Sequence, residues 1–176
     1  MITKRNFFLF ILFLIAQKSL SQDDQAYLYS YFVNNGEDGL HLAYSMDGLE
    51  WETLNDNKSF LTPTVGDDKL MRDPCIIYGP DNKFHMVYTV SWRERVIGYS
   101  SSEDLINWSD QLEIPVMKHE KFALNCWAPE IFYDSDSESF IIFWSTTIPG
   151  RFEETDHSGD SIDIHSPLRF GKNKNL

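Results

Sequence analysis

Asp73-Pro74-Cys75-Ile76-Ile77-Tyr78, a turn at Gly79-Pro80-Asp81-Asn82 and the strand opening at Phe84 decide the fold, because the same pattern returns later in the chain. Its second appearance is Ala128-Pro129-Glu130-Ile131-Phe132-Tyr133, a turn from Asp134 to Glu138, and a strand from Phe140. Pro74 and Pro129 are 55 positions apart. A different pair of segments repeats with nearly the same spacing: Leu42-Ala43-Tyr44-Ser45 leads to Trp51, and Ile97-Gly98-Tyr99-Ser100 leads to Trp108, the tryptophans standing 57 positions apart. Two independent landmarks with one period a little above 50 residues, several strands to each unit, are the signature of propeller blades.

Working outward, short aromatic and β-branched runs alternate with Gly, Pro, Asn and Asp turns, and no helical period is sustained, so the chain reads as all-β. Phe84, Met86, Tyr88 and Val90 share one strand face and His85, Val87 and Thr89 the other. Phe140-Ile141-Ile142-Phe143-Trp144 is apolar on both faces, as expected of a strand buried between two sheets. Residues 27–54 form the later strands of one blade, 72–112 most of the next and 127 to about 148 the start of a third, about two and a half blades of a ring that needs four or more. The expected organisation is a signal peptide over 1–21, an incomplete propeller catalytic domain over 22–150, and a divergent tail over 151–176 with no strand pattern.

The expected leader rests on Lys4 and Arg5, the apolar run Phe7 to Ala16, and Ser19-Leu20-Ser21 ahead of Gln22, with cleavage after Ser21. Such a run is well short of the roughly 20 residues that span a bilayer, so the mature chain is expected to be secreted or periplasmic, without membrane insertion. The leader holds Lys4, Arg5 and Lys18 and no acid, leaving 12 basic against 27 acidic residues, a net charge of −15. A surface so acidic repels phosphate backbones and excludes nucleic acid as a partner. Neutral sugars are compatible with it, and 15% aromatic residues suit stacking on sugar faces. Cys75 and Cys126 stand in an exported chain, where one disulfide and two buried free thiols are both open readings.

Glycoside hydrolysis needs two carboxyl groups flanking the scissile bond. Inner propeller strands point side chains into the axial funnel, and Asp73 opens one such strand, with Pro74 expected to hold it extended. Pairing with Arg72 in a turn is the structural alternative. Trp127 stands at the matching strand mouth and is a candidate for stacking on substrate, with packing between blades as the equal alternative. Glu130 should alternate away from the funnel, and His41 and His85 read as isolated strand histidines. Asp134, Asp136 and Glu138 mimic half a calcium loop, but Ser139 and Ser145 occupy its required Gly and Glu positions, so the segment reads as a hairpin turn and no metal site is assigned.

Arg72-Asp73-Pro74-x-Ile76, Ser102-x-Asp104-Leu105-x-x-Trp108 and Trp127-Ala128-Pro129-Glu130 resemble, in the same order, the opening motifs of glycoside hydrolase family 43. The resemblance covers residues 27 to 150. It implies a five-bladed propeller and inverting hydrolysis of arabinose-, xylose- or galactose-containing oligo- or polysaccharides. It also implies an Asp base matching Asp73, and an Asp that tunes a Glu acid, both from segments this chain is not expected to contain. Calcium in the axial channel of a complete propeller is implied as well, with no ligand assigned here, and no cofactor is required. On this reading the chain alone is expected to be an inactive fragment. A non-catalytic sugar-binding fragment or pseudoenzyme is the alternative from another class. A sialidase-like propeller is the nearest enzyme rival, since Ser45-Met46-Asp47-Gly48-Leu49-Glu50-Trp51 approaches an Asp box, one residue short between its Asp and Gly.

Overall fold

The computed structural model describes residues 25–151 and the backbone of 169–173, so the expected leader lies outside the described residues. Three antiparallel sheets stand in sequence. The first orders β1 (Tyr27–Tyr31), β2 (His41–Ser45) and β3 (Glu52–Thr53); the second orders β4 (Arg72–Tyr78), β5 (Phe84–Thr89), β6 (Ile97–Ser102) and β7 (Leu112–Ile114). The third places β9 (Ser139–Ser145) between β8 (Trp127–Asp134) and β10 (Arg169–Asn173). The only helical turn among the described residues is a 3-10 turn, Asn55–Asn57. No helix there is long and apolar enough to cross a membrane. The three sheets form an open arc of a propeller.

The period-two reading explains how the sheets stack. Met86, Tyr88 and Val90 pack with Leu40 and Leu42 of the first sheet, while Val87, Ile97 and Tyr99 pack with Ile131, Phe140, Ile142 and Trp144 of the third. Both faces of β5 are therefore buried, because its blade lies between two others. In β9 the outcome differs from the two-sided burial expected: Phe140, Ile142 and Trp144 are buried, whereas Ile141 and Phe143 on the opposite face are only half-buried. Gly98 is forced by close packing, since a Cβ there would collide with the ring of the buried Tyr88. The Tyr88 hydroxyl donates to Gln111 Oε1 at 2.7 Å, and Gln111 Nε2 donates to the Thr62 carbonyl at 2.7 Å, so the buried phenol is satisfied across the blade junction.

The tail from residue 151 was expected to carry no strand, and residues 169–173 correct that. They pair in register with β9 from Arg169 opposite Trp144 to Asn173 opposite Phe140. An edge strand that follows a long connection and is paired through its backbone needs no alternating apolar pattern of its own, so periodicity does not reveal it.

Candidate functional site

Both proline motifs build the same local structure. The β4–β5 register breaks between Arg72 and Cys75, and the β8–β9 register breaks between Trp127 and Glu130. At each bulge the residue before proline takes a left-handed conformation, Asp73 with φ 49° and Ala128 with φ 44°. The expectation that Pro74 keeps Asp73 extended is thus corrected. A bulge inserts an extra residue and re-aims its side chain, and the surrounding contacts hold a geometry that the residue before proline ordinarily avoids.

One such contact is visible at each bulge. The Thr89 hydroxyl donates to Asp73 Oδ2 at 3.1 Å, and the Ala128 N–H donates to Thr89 Oγ1 at 2.8 Å. Asp73 is half-buried at the mouth of the second blade. Arg72 does not pair with it among the described residues. Its guanidinium lies 4.8 Å from the Phe32 ring centre and 4.4 Å from that of Trp92, and donates to Asn35 Oδ1 at 2.8 Å.

The aromatic groups converge on the same mouth. Trp127 Nε1 donates to the Trp92 carbonyl at 3.1 Å, and the two indoles meet edge to face with centroids 5.7 Å apart. Trp92 Nε1 donates to Asn35 Oδ1 at 3.0 Å, while Asp68 Oδ2 accepts from the Ser91 hydroxyl and the Trp92 N–H. Trp92 is nevertheless 41% exposed. It is a braced indole with accessible surface. Trp92, Asn35, Phe32, Asp68 and Thr89 escaped the sequence reading because they sit in loops or strand ends without a motif. The Gly-free turn Ser91-Trp92-Arg93 after an apolar strand was the one local signal for Trp92.

The carboxyls divide in character. Asp68 is held below the ordinary carboxylate range by the Ser91 hydroxyl and the Trp92 N–H. Glu94 is pushed up by burial, and by the nearby charges of Asp67, Glu113 and Asp68, against the Asp67 N–H that it accepts at 2.8 Å. Glu130 is exposed. Among the described residues no three His, Cys, Asp or Glu side chains gather into a metal site, so no ligand set for calcium is assigned.

The remaining candidates are structural. His85 is buried, bonded through Nδ1 to the Tyr99 hydroxyl at 2.8 Å and through Nε2 to Asp81 Oδ1 at 3.0 Å. His41, also buried, meets Asp38 Oδ2 at 2.9 Å. Cys75 and Cys126 are free thiols, and burial pushes the Cys126 thiol up to about 12, which keeps it protonated and unreactive at neutral pH. The Asp134–Glu138 segment is the β8–β9 hairpin turn, with Ser137 donating to Asp134. The Asp-box-like Ser45–Trp51 is one of two matching strand corners: Asp47 Oδ1 accepts from the Leu49 and Glu50 N–H groups, and Asp104 Oδ1 from those of Ile106 and Asn107.

A family model described as a probable glycosyl hydrolase domain, related to glycosyl hydrolase family 43, matches residues 23–168. Among solved structures, the native Bacillus subtilis arabinanase aligns with TM-score 0.53 and 17% identity over 81% of this chain and 51% of its own. The α-L-arabinofuranosidase of Lactobacillus brevis gives 0.53 and 16% over 86% and 49%. An N-acetylgalactosamine deacetylase of F. plautii, in complex with blood group B trisaccharide, gives 0.51 and 15% over 87% and 47%. At such identities the likeness shows the fold alone, the five-bladed propeller. The chain spans about half the length of these structures. No curated protein matches it.

Proposed function

Because the chain belongs to the family of probable glycosyl hydrolase domains related to glycoside hydrolase family 43, we propose that it serves the hydrolysis of O-glycosidic bonds in arabinose-, xylose- or galactose-containing glycans, with Asp73 as general base. The observation that carries this reading is the Asp73 bulge: a carboxylate held by Thr89 at a strand mouth whose flanking residues adjoin the indoles, Arg72 lying over Trp92 and Trp127 preceding the Ala128 that bonds Thr89. Stacking on the indoles would present the anomeric carbon, and Asp73 would take a proton from the attacking water. Inversion also needs an acid roughly 6.5–9.5 Å from the base. No such partner is assigned among the described residues, so we take this chain to hold the base half of the site, and to need an acid from elsewhere for turnover. The apolar leader supports export, which N-terminal sequencing of the mature protein checks.

The test is calorimetric titration of arabino-, xylo- and galacto-oligosaccharides into residues 22–176, with release from aryl glycosides followed in parallel. One of these saccharides should bind, and Trp92→Ala should weaken binding while leaving the fold intact. Wherever turnover is measured, Asp73→Asn should lower it by ~10²–10⁴, the usual worth of a general base. Near-wild-type turnover by that variant would remove Asp73 from the mechanism. Binding that survives with no turnover even after an acid-bearing partner is supplied would favour a non-catalytic sugar-binding propeller. The F. plautii structure, whose title names a deacetylase, illustrates that a fold does not fix a reaction.

A further inference from the structure

We infer that Thr89 is a positioning residue, which ties up one oxygen of Asp73 and leaves the other to face the reacting water. The inference rests on the reading of Asp73 as base and extends it to the geometry of its carboxylate. A backbone N–H can only donate, so at 2.8 Å from the Ala128 nitrogen the Thr89 oxygen must accept. A hydroxyl carries a single proton. With its oxygen engaged by Ala128, that proton points to Asp73 Oδ2, 3.1 Å away. Among the described residues no donor reaches Oδ1. The two oxygens of the carboxylate are thereby made unequal: Oδ2 is an anchor and Oδ1 is the proton acceptor.

The bulges explain why this link exists. Thr89 pairs with Arg72, the last regular pair before the β4 register breaks. Ala128 lies inside the equivalent break of β8, so its N–H is turned away from the β9 ladder and is available to the neighbouring blade. Thr89 is almost wholly buried, and water does not compete for either bond. One side chain therefore joins two strand mouths, and the orientation of Asp73 depends on how the third blade seats against the second. In the third blade, Ser145 pairs with Trp127 where Thr89 pairs with Arg72, but Ala128 stands where Asp73 does. The scaffold repeats and the carboxylate does not.

The experiment compares Thr89→Val, which keeps the shape and removes the hydroxyl, with Thr89→Ser, which keeps the hydroxyl and removes the methyl, in the full chain. In crystal structures the Asp73 carboxylate should leave its position in Thr89→Val and keep it in Thr89→Ser. Where turnover is measured, Thr89→Val should lower kcat by about 10²-fold, the cost of a misplaced reacting group, with little change in KM, and Thr89→Ser should restore it. An unmoved Asp73 in Thr89→Val, or equal losses in the two variants, overturns the inference. If Thr89→Val does not fold, the Ala128 amide proton reports the same link: Asp73→Ala should shift its NMR resonance, and an unshifted resonance overturns it. Absence of turnover even with an acid-bearing partner supplied would count against the hydrolase reading alone, because the crystal and NMR comparisons judge Thr89 without it.

Discussion

Asp104 and Asp47 show how much a single carboxylate organises in this chain. Asp104 is held well below its ordinary value of 3.8 by the Asn107 N–H, the Asn107 side-chain amide and the Ile106 N–H. Asp47 is lowered likewise, first by the Glu50 and then by the Leu49 N–H. These bonds replace backbone pairing at a corner where the strand ends, as Asx turns do. A group whose folded-state value is depressed stabilises the fold above its unfolded value and loses that contribution as the pH falls. Acid unfolding followed by tryptophan fluorescence should therefore steepen below about pH 4. Asp104→Asn should be less stable at neutral pH and less sensitive to acid below that point. Parallel curves for variant and wild type would show that the corner carboxylate contributes nothing to acid lability.

At the scale of the element, two corners with one sequence pattern and one hydrogen-bond pattern end in tryptophans of different burial. Each corner places a left-handed residue at the same point, Gly48 with φ 76° and Leu105 with φ 65°. Leu105 accepts this strain because it and Trp108 pack against the Leu40–Leu42 cluster, and its carbonyl accepts Trp108 Nε1 at 3.1 Å. Trp51, by contrast, is 43% exposed and meets only the Tyr29 ring among the aromatic contacts described. Trp108→Ala should cost about 3 kcal/mol, the low end for truncating a large aromatic, since its ring is only half-buried. Trp51→Ala should cost less than ~1 kcal/mol, as surface substitutions do. Urea unfolding of the two variants measures the difference, and equal losses would mean that the corners are not distinguished by the neighbouring blade.

For the whole molecule, among the described residues the second blade packs against a neighbour on each side, and the first and third each against one. The β5 strand of the second blade is buried on both faces, whereas the outer face of the first blade exposes Tyr27, Tyr29 and Trp51, with exposures between 43% and 59%. Tyr29, Tyr31, Val33, Ala43 and Trp51 line an open groove of about 590 Å³ there. A contiguous aromatic surface of this kind promotes association. The double variant Tyr29→Ser/Trp51→Ser should bind less apolar dye and elute as a narrower monomer peak at high concentration, with an unchanged far-ultraviolet spectrum. Unchanged dye binding and elution would show that this face is not what draws copies together.

The all-β class, the blade period and the proline motifs were legible in the sequence, because each is written in local rules: alternation of side chains along a strand, turn residues between strands, and a proline that marks a strand mouth. Asp73 was picked out as a candidate in the same way, from its place before Pro74. What the neighbourhood decides could not be read locally. The left-handed backbone of Asp73 opposes the preference of a residue before proline, and is imposed by a register break with another strand. The platform joins Asn35, Arg72, Trp92 and Trp127 from separate segments, and β10 takes its place by pairing with a strand more than twenty residues earlier. Trp51 and Trp108 are nearly interchangeable in sequence, yet only packing against the neighbouring sheet separates the half-buried Trp108 from the exposed Trp51. Local sequence set the strands and turns; the contacts between blades, which depend on which distant residues arrive together, determined the geometry of the candidate site.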